Sequence, residues 1–299
     1  MDTKKFRGLW TALITPFKSW NWIDNEIDFD ALDNLLEMQI KWWVNWVLLL
    51  WTTWENPTLT KQEWLEIVKS SINKLQWKLK VMVNVWTYST KASLENIAEY
   101  EKIDWIDSYL VVNPYYNKPT QTWLFKHFTT IAKSTDKPVI LYNIHWRTWV
   151  NLETNTLIEI ISECPNIVWV KEASWNMLQM KEVIESTWDH FVVLSWDDSL
   201  TYELIKNWWD WVISVASNCK PKEIQEFVNL CLDWDRKSEE LNENYKDFFS
   251  KLFIQTNPLP AKTYLAYKWI IEENFRLPMC EMDEIQRKEF LDFIKEKNF

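Results

Sequence analysis

Ile167-Val168-Trp169-Val170-Lys171-Glu172 is the stretch on which the reading of this chain turns: a short apolar run that stops at a lysine and a glutamate. Apolar residues without alternation are what a strand buried on both faces requires, because neither face meets water. Runs of the same kind recur at residues 11–15, 47–50, 80–85, 108–112, 139–142, 191–194 and 211–215. Amphipathic stretches of helical length lie between them, at 28–40, 60–75, 94–103, 124–134 and 154–162. Thr60 followed by Glu63 reads as a capping box, and Asp28 and Thr154 read as N-caps. Eight strand–helix units fit into about the first 230 residues, the length of a (β/α)8 barrel. The expected architecture is therefore α/β: a (β/α)8 TIM barrel over residues 1–235, with a charged, helix-patterned C-terminal extension over 236–299 packed on it as part of one structural unit. The pattern alone leaves an open doubly wound sheet as the alternative. No G-x-G-x-x-G occurs even if Gly is written at the Trp positions, which counts against a nucleotide fold.

Composition narrows the function classes. The 299 residues carry 33 Lys plus Arg against 43 Asp plus Glu, a net charge of −10 with no basic cluster, which argues against non-specific nucleic-acid binding. The longest apolar stretch, residues 46–51, is far short of the roughly 20 residues of a membrane span. The opening MDTKKFRGLW has charges but no apolar core behind them, so no secretory signal is expected. Cys164, Cys219, Cys231 and Cys280 are far apart with no C-x-x-C pair, which favours reduced thiols in a cytoplasmic protein over a disulfide frame or a zinc site.

There are 24 Trp and a single Gly, Gly8. Trp stands where turn chemistry wants Gly: Trp20 and Trp22 around Asn21, Trp42 and Trp43, Trp51 and Trp54 around Thr52 and Thr53, Trp208 and Trp209. Overpacking costs about 1–3 kcal/mol per site, so some twenty such sites would exceed a stability of roughly 5–15 kcal/mol. The sequence reads as a glycine-rich parent in which nearly every Gly is replaced by Trp, and most Trp positions are expected to mark turns.

In a barrel, chemistry sits at the C-terminal ends of the strands. There the chain places Thr52, Thr53 and Glu55; Asn113 to Asn117; Tyr142 and Asn143 with Arg147 beyond; Lys171 and Glu172; and Ser195, Asp197 and Asp198. Lys171 at the mouth of a dry barrel would lose its charge to desolvation and be free to attack a carbonyl. The bland alternative is a lysine that snorkels to solvent or pairs with Glu172. Tyr142, one strand away, is a candidate proton shuttle or a rim tyrosine. Arg147 is a candidate carboxylate clamp or a surface ion pair. Thr52 and Thr53 offer N–H groups and hydroxyls to an anion, or form an ordinary turn. His127 reads as packing or surface, His190 as part of a charged turn, and His145 as a histidine without a carboxylate partner. The acidic runs at 182–185 and 233–240 read as solvated helix faces. Taken together, the strand ends describe a Schiff-base enzyme for small carboxylated carbonyl compounds, with no metal-ligand cluster.

The segments TALITPF (11–17), WTTWENPTL (51–59), NPYYNKPTQ (113–121), YNIHWRTWVN (142–151), VKEASW (170–175), SWDD (195–198), WVISV (211–215) and NPLPAK (257–262) resemble the dihydrodipicolinate synthase family, in order and over essentially the whole chain. In that family Trp51, Trp54, Trp146, Trp149, Trp175, Trp196 and Trp211 would be Gly. The resemblance implies a lysine-biosynthesis lyase in which Lys171 forms the imine with pyruvate and Thr52 and Thr53 hold the pyruvate carboxylate. Tyr142 relays protons, linked through Thr53 to Tyr116, and Tyr116 reaches into a neighbouring subunit of a dimer of dimers. Arg147 receives the carboxylate of aspartate semialdehyde, and Ile213 lines the pocket. The covalent imine serves in place of any cofactor or metal. Arg147, with the paired threonines and NPYYN, favours this branch over pyruvate lyases acting on sialic or keto-deoxy sugar acids; a non-catalytic keto-acid-binding barrel is the reading from a different class. Two departures stand out. His145 occupies a position where the family has Pro, and the Trp residues around Thr52 and Thr53 and at 196 are expected to crowd the pyruvate pocket.

Overall fold

The computed structural model describes residues 7–19, 21–85, 87–174, 176–187, 192–194, 198–206 and 211–299. Eight strands, β1 (Gly8–Ala12), β2 (Trp46–Leu49), β3 (Lys80–Asn84), β4 (Ser108–Val112), β5 (Val139–Asn143), β6 (Ile167–Glu172), β7 (Val192–Leu194) and β8 (Trp211–Ser214), form one parallel sheet. Its order is 7-6-5-4-3-2-1-8. The end strands β7 and β8 lie against each other, so the sheet curls into a (β/α)8 barrel. The helices are α1 (Phe29–Lys41), α2 (Lys61–Leu75), α3 (Thr90–Tyr100), α4 (Gln121–Ala132), α5 (His145–Thr148), α6 (Thr154–Glu163), α7 (Met177–Thr187), α8 (Thr201–Lys206), α9 (Ala216–Cys219), α10 (Pro221–Leu232), α11 (Lys237–Lys251), α12 (Leu259–Tyr267) and α13 (Glu284–Glu296).

Local chemistry explains several of these boundaries. Thr60 and Glu63 form the reciprocal capping box of α2, and the Asp28 side chain accepts from the N–H of Ala31 to open α1. The N-cap expected at Thr154 is instead Glu153; Thr154 is the first helical residue, and its hydroxyl donates to Glu182 Oε2 at 2.8 Å. β1 begins at Gly8, ahead of the expected 11–15, because the barrel interior starts at Leu9 and Trp10. Gly8 has φ +119°, and a Cβ there would stand 2.0 Å from Asn45 Oδ1, so only glycine fits.

Two groups stand out among the described tryptophans, and one of them corrects the expectation that they mark turns. Trp10, Trp46, Trp169 and Trp211 lie in strands, at most 2 % exposed, and fill the barrel. Trp10 stacks on Trp46 at 4.2 Å between ring centroids, and Trp169 lies 5.1 Å from Trp211. Aromatic pairing in a dry interior takes the place of the overpacking expected at these positions. The second group behaves as expected. Trp43, Trp105, Trp149, Trp234 and Trp269 all have φ between 53° and 67°, the left-handed region, and all are exposed.

The segment after α10 packs back onto the barrel. α11 lies on α10, α12 on α9 and α13 on α12. Phe248 and Phe299 stack at 4.8 Å, and Phe227, Tyr245 and Phe249 meet beside them.

Candidate active site

Lys171 and Tyr142 are partners in the β5–β6 register, so the sheet itself sets the amine beside the phenol. Consecutive strand residues face opposite ways, which sends Lys171 and Glu172 to different sides. Glu172 is buried; it accepts from Asn143 Nδ2 at 3.0 Å and from the N–H of Ser174 at 2.8 Å, within a network in which Asn113 Nδ2 also donates to Asn143 Oδ1. The alternatives in which Lys171 snorkels or pairs with Glu172 therefore fail. The Lys171 side chain is 2 % exposed, with Nζ 4.7 Å from the ring centre of Tyr142 and 4.6 Å from that of Trp51. Among the described residues it makes no ion pair.

Burial pushes the Lys171 ammonium down to about 7; the carboxylate of Asp198 pulls it back up and the Arg147 cation adds to the fall. Burial holds the Tyr142 phenol above its ordinary value, with Arg147 opposing. Near neutral pH the free amine is thus readily populated beside a protonated phenol, suited to attack on a carbonyl with a proton donor at hand.

Both line a cavity of about 640 Å³ together with Thr52, Thr53, Arg147 and Ile213. Thr52 and Thr53 open a single 3-10 turn (Thr52–Trp54) after β2, and the first amides of such a turn have no partner inside it. Ile213 enters from β8 and is 1 % exposed. Arg147 stands at the mouth on α5, its guanidinium 4.4 Å from the ring of Trp146. Six of the seven residues singled out from the sequence therefore meet in one cavity.

Tyr116 is the exception. It follows β4 with φ 70° and is 91 % exposed, turned away from its own chain. Tyr115, not Tyr116, borders the smaller cavity of about 360 Å³ that Tyr142, Thr52 and Trp51 share with it. Nor does Thr53 bond to Tyr142: its hydroxyl accepts from Asn257 Nδ2 at 2.9 Å.

Among the described residues, the crowding expected from tryptophan holds for Trp51 and not for Trp54. Trp51 enters the cavity and packs on Tyr142 at 4.4 Å, leaving the cavity open. Trp54 turns into the core, where its indole donates to the carbonyl of Leu48 at 2.8 Å. Ser195, Trp196, Asp197, Trp175, Trp20, Trp208, Trp209 and His190 lie outside the described residues. His127 is buried, with Nδ1 2.7 Å from the Thr90 hydroxyl, and burial lowers it to about 4. His145 is exposed and meets Trp149 edge to face, so it packs at the surface.

Three features of the site were not assigned a role from sequence. Asn257 reaches the cavity from the segment between α11 and α12. Glu55 and Lys262 form a wholly buried ion pair at 2.5 Å that ties the paired-threonine turn to α12. Asp198 Oδ2 accepts from the N–H groups of Val215 and Ala216 at 2.9 and 3.0 Å, bracing the end of β8. NPLPAK was the signal for the first two, but spacing alone names no partner 204 residues away.

A parallel barrel that buries an amine of depressed proton affinity against a phenol, at the C-terminal ends of its strands, defines the class of enzymes that act on carbonyl compounds through a lysine imine. The chain belongs to the dihydrodipicolinate synthetase family, whose model matches residues 5–297. It is 37% identical over 294 residues to the 4-hydroxy-tetrahydrodipicolinate synthase of Aquifex aeolicus (strain VF5), covering 98% of both chains. It is 40% identical over 284 residues to the protein of the same name from Endomicrobium trichonymphae, covering 94% of this chain and 95% of that one. The crystal structure of dihydrodipicolinate synthase from Aquifex aeolicus superposes with a TM-score of 0.92 at 37% identity, covering 98% of each chain.

Proposed function

We propose that the chain works as a 4-hydroxy-tetrahydrodipicolinate synthase, a lyase of lysine biosynthesis that condenses pyruvate with L-aspartate 4-semialdehyde. The observation that carries the reading is the Lys171 amine, buried beside Tyr142 in the wall of the cavity.

Lys171 Nζ adds to the C2 carbonyl of pyruvate, and water leaves as the imine forms. Loss of a C3 proton gives the enamine, whose C3 bonds to the aldehyde carbon of the semialdehyde. The amine of the semialdehyde then displaces Nζ at C2, closing the ring and freeing the lysine to give (4S)-4-hydroxy-tetrahydrodipicolinate. The imine is the electron sink, so the reaction needs no cofactor.

Thr52 and Thr53 hold the pyruvate carboxylate, supported by their place at the opening of a 3-10 turn facing the cavity. Tyr142 moves protons during imine and enamine formation, and Arg147 at the mouth takes the second carboxylate. Ile213 walls the pocket. Tyr116 serves the site of a neighbouring subunit in a homotetramer built as a dimer of dimers; its 91 % exposure supports this. Residues 236–299 act as an appendix of the barrel over 1–235, forming a single unit with it, supported by the Glu55–Lys262 and Thr53–Asn257 contacts. A cytoplasmic location is supported by four free cysteines, three of them buried; among the described residues no helix is long and apolar enough to cross a membrane.

The test is trapping. Pyruvate with borohydride, followed by peptide mass spectrometry, is expected to mark Lys171 alone. A folded sample without that adduct, or with the adduct on another lysine, would end this reading.

A further inference from the structure

Asn257 stands just ahead of α12, in the cavity wall, and its side chain is 8 % exposed. Its Nδ2 donates to Thr53 Oγ1 at 2.9 Å, and Thr53 is 1 % exposed. Among the described residues its buried Oδ1 has no hydrogen-bond partner. The segment that delivers the amide is held in place. The Lys262–Glu55 pair joins α12 to the residue two places after Thr53, and Glu55 Oε2 also accepts from the N–H of Arg276 at 3.4 Å.

A threonine hydroxyl has one proton and two lone pairs, an amide nitrogen only donates, and a carboxylate only accepts. With a lone pair of Oγ1 engaged by Asn257, the Thr53 proton is directed away from the amide, toward the cavity. A hydroxyl meant for a carboxylate needs this polarity; left to rotate, it would spend part of its time pointing a lone pair at the anion.

We propose that Asn257 is a positioning residue that fixes the Thr53 hydroxyl as a donor to the pyruvate carboxylate. This rests on the reading of the cavity as a pyruvate site. It gives the Asn257 of NPLPAK a role through Thr53 that the strand ends alone did not assign. The buried Oδ1 without a partner fits an amide kept for its donor side.

The experiment is a double-mutant cycle on the full chain with Asn257→Ala, Thr53→Val and the pair, together with Asn257→Asp. Circular dichroism checks folding in each. Asn257→Ala is expected to raise the KM for pyruvate about tenfold, the worth of one hydrogen bond to a charged group, with kcat little changed. Thr53→Val is expected to do the same, and the pair to be no worse than Thr53→Val, because Asn257 acts only through that hydroxyl. Asn257→Asp keeps the shape but cannot donate when ionised, so it is expected to lose more than Ala, by a factor that grows with pH.

Single losses that multiply in the pair, an unaltered KM in Asn257→Ala, or an Asn257→Asp enzyme equal to the parent would each overturn the proposal. Borohydride trapping at saturating pyruvate separates the two levels. An adduct on Lys171 in the parent chain with additive variants sinks only the role of Asn257, whereas no adduct in the parent sinks the pyruvate reading itself.

Discussion

Lys171→Met exchanges the buried amine for an unbranched apolar chain one atom shorter. The ordinary lysine value is 10.5, and burial brings Lys171 to about 7. At about 1.4 kcal/mol per pH unit, keeping a protonated amine in that place costs the folded state about 5 kcal/mol below pH 7. Against this, methionine leaves a small void and forfeits the contacts with the Trp51 and Tyr142 rings, which together cost about 2 kcal/mol. The variant should therefore be more stable than its parent by about 3 kcal/mol at pH 6. The advantage must shrink with rising pH. Between about 7 and 10.5 the unfolded parent still binds a proton that the folded parent does not, so the parent gains stability as pH rises. Urea unfolding of both proteins at pH 6, 8 and 9.5, with m-values compared, measures the difference directly. A difference that does not vary with pH, or a variant less stable at pH 6, would refute the view that Lys171 is held as a strained, desolvated amine. The same variant should form no pyruvate adduct.

Adduct formation in the parent should rise with pH to a plateau above about 7, since only the free amine attacks. Asp198→Asn keeps an acceptor for the Val215 and Ala216 amides but removes the charge that raises Lys171, so the rise should move to lower pH; a move upward would contradict the assignment. Lys262→Met leaves Glu55 buried and unpaired and should cost about 3–5 kcal/mol in urea unfolding, with the Glu55→Gln/Lys262→Met pair recovering part of it. Trp43→Gly and Trp269→Gly should each stabilise by about 1 kcal/mol, because both positions have positive φ and are largely exposed. A loss of stability in either would mean that the indole makes contacts worth more than the backbone strain.

Much of the site was legible because a barrel turns sequence position into spatial position. Each apolar run ends at the same face, so residues that follow the runs, such as Thr53, Arg147 and Lys171, converge without any knowledge of side-chain angles. Tyr116 did not converge in one chain, for it too follows a strand, but a left-handed residue turns it outward. The Trp pattern was half legible. Several tryptophans near helix ends marked left-handed turns, whereas Trp10, Trp46, Trp169 and Trp211 sit in strands and pack on one another.

By itself the sequence determined the alternation of buried parallel strands with helices and the residues at the strand ends, because hydrophobic runs and their spacing are local properties written along the chain. Only the tertiary structure decided that Lys171 is dry while Glu172 bonds elsewhere, that Asn257 holds Thr53, and that Lys262 neutralises Glu55. Those outcomes depend on desolvation and on contacts between segments about two hundred residues apart, and the closure of the barrel, not any short-range preference, brings such groups within hydrogen-bond reach.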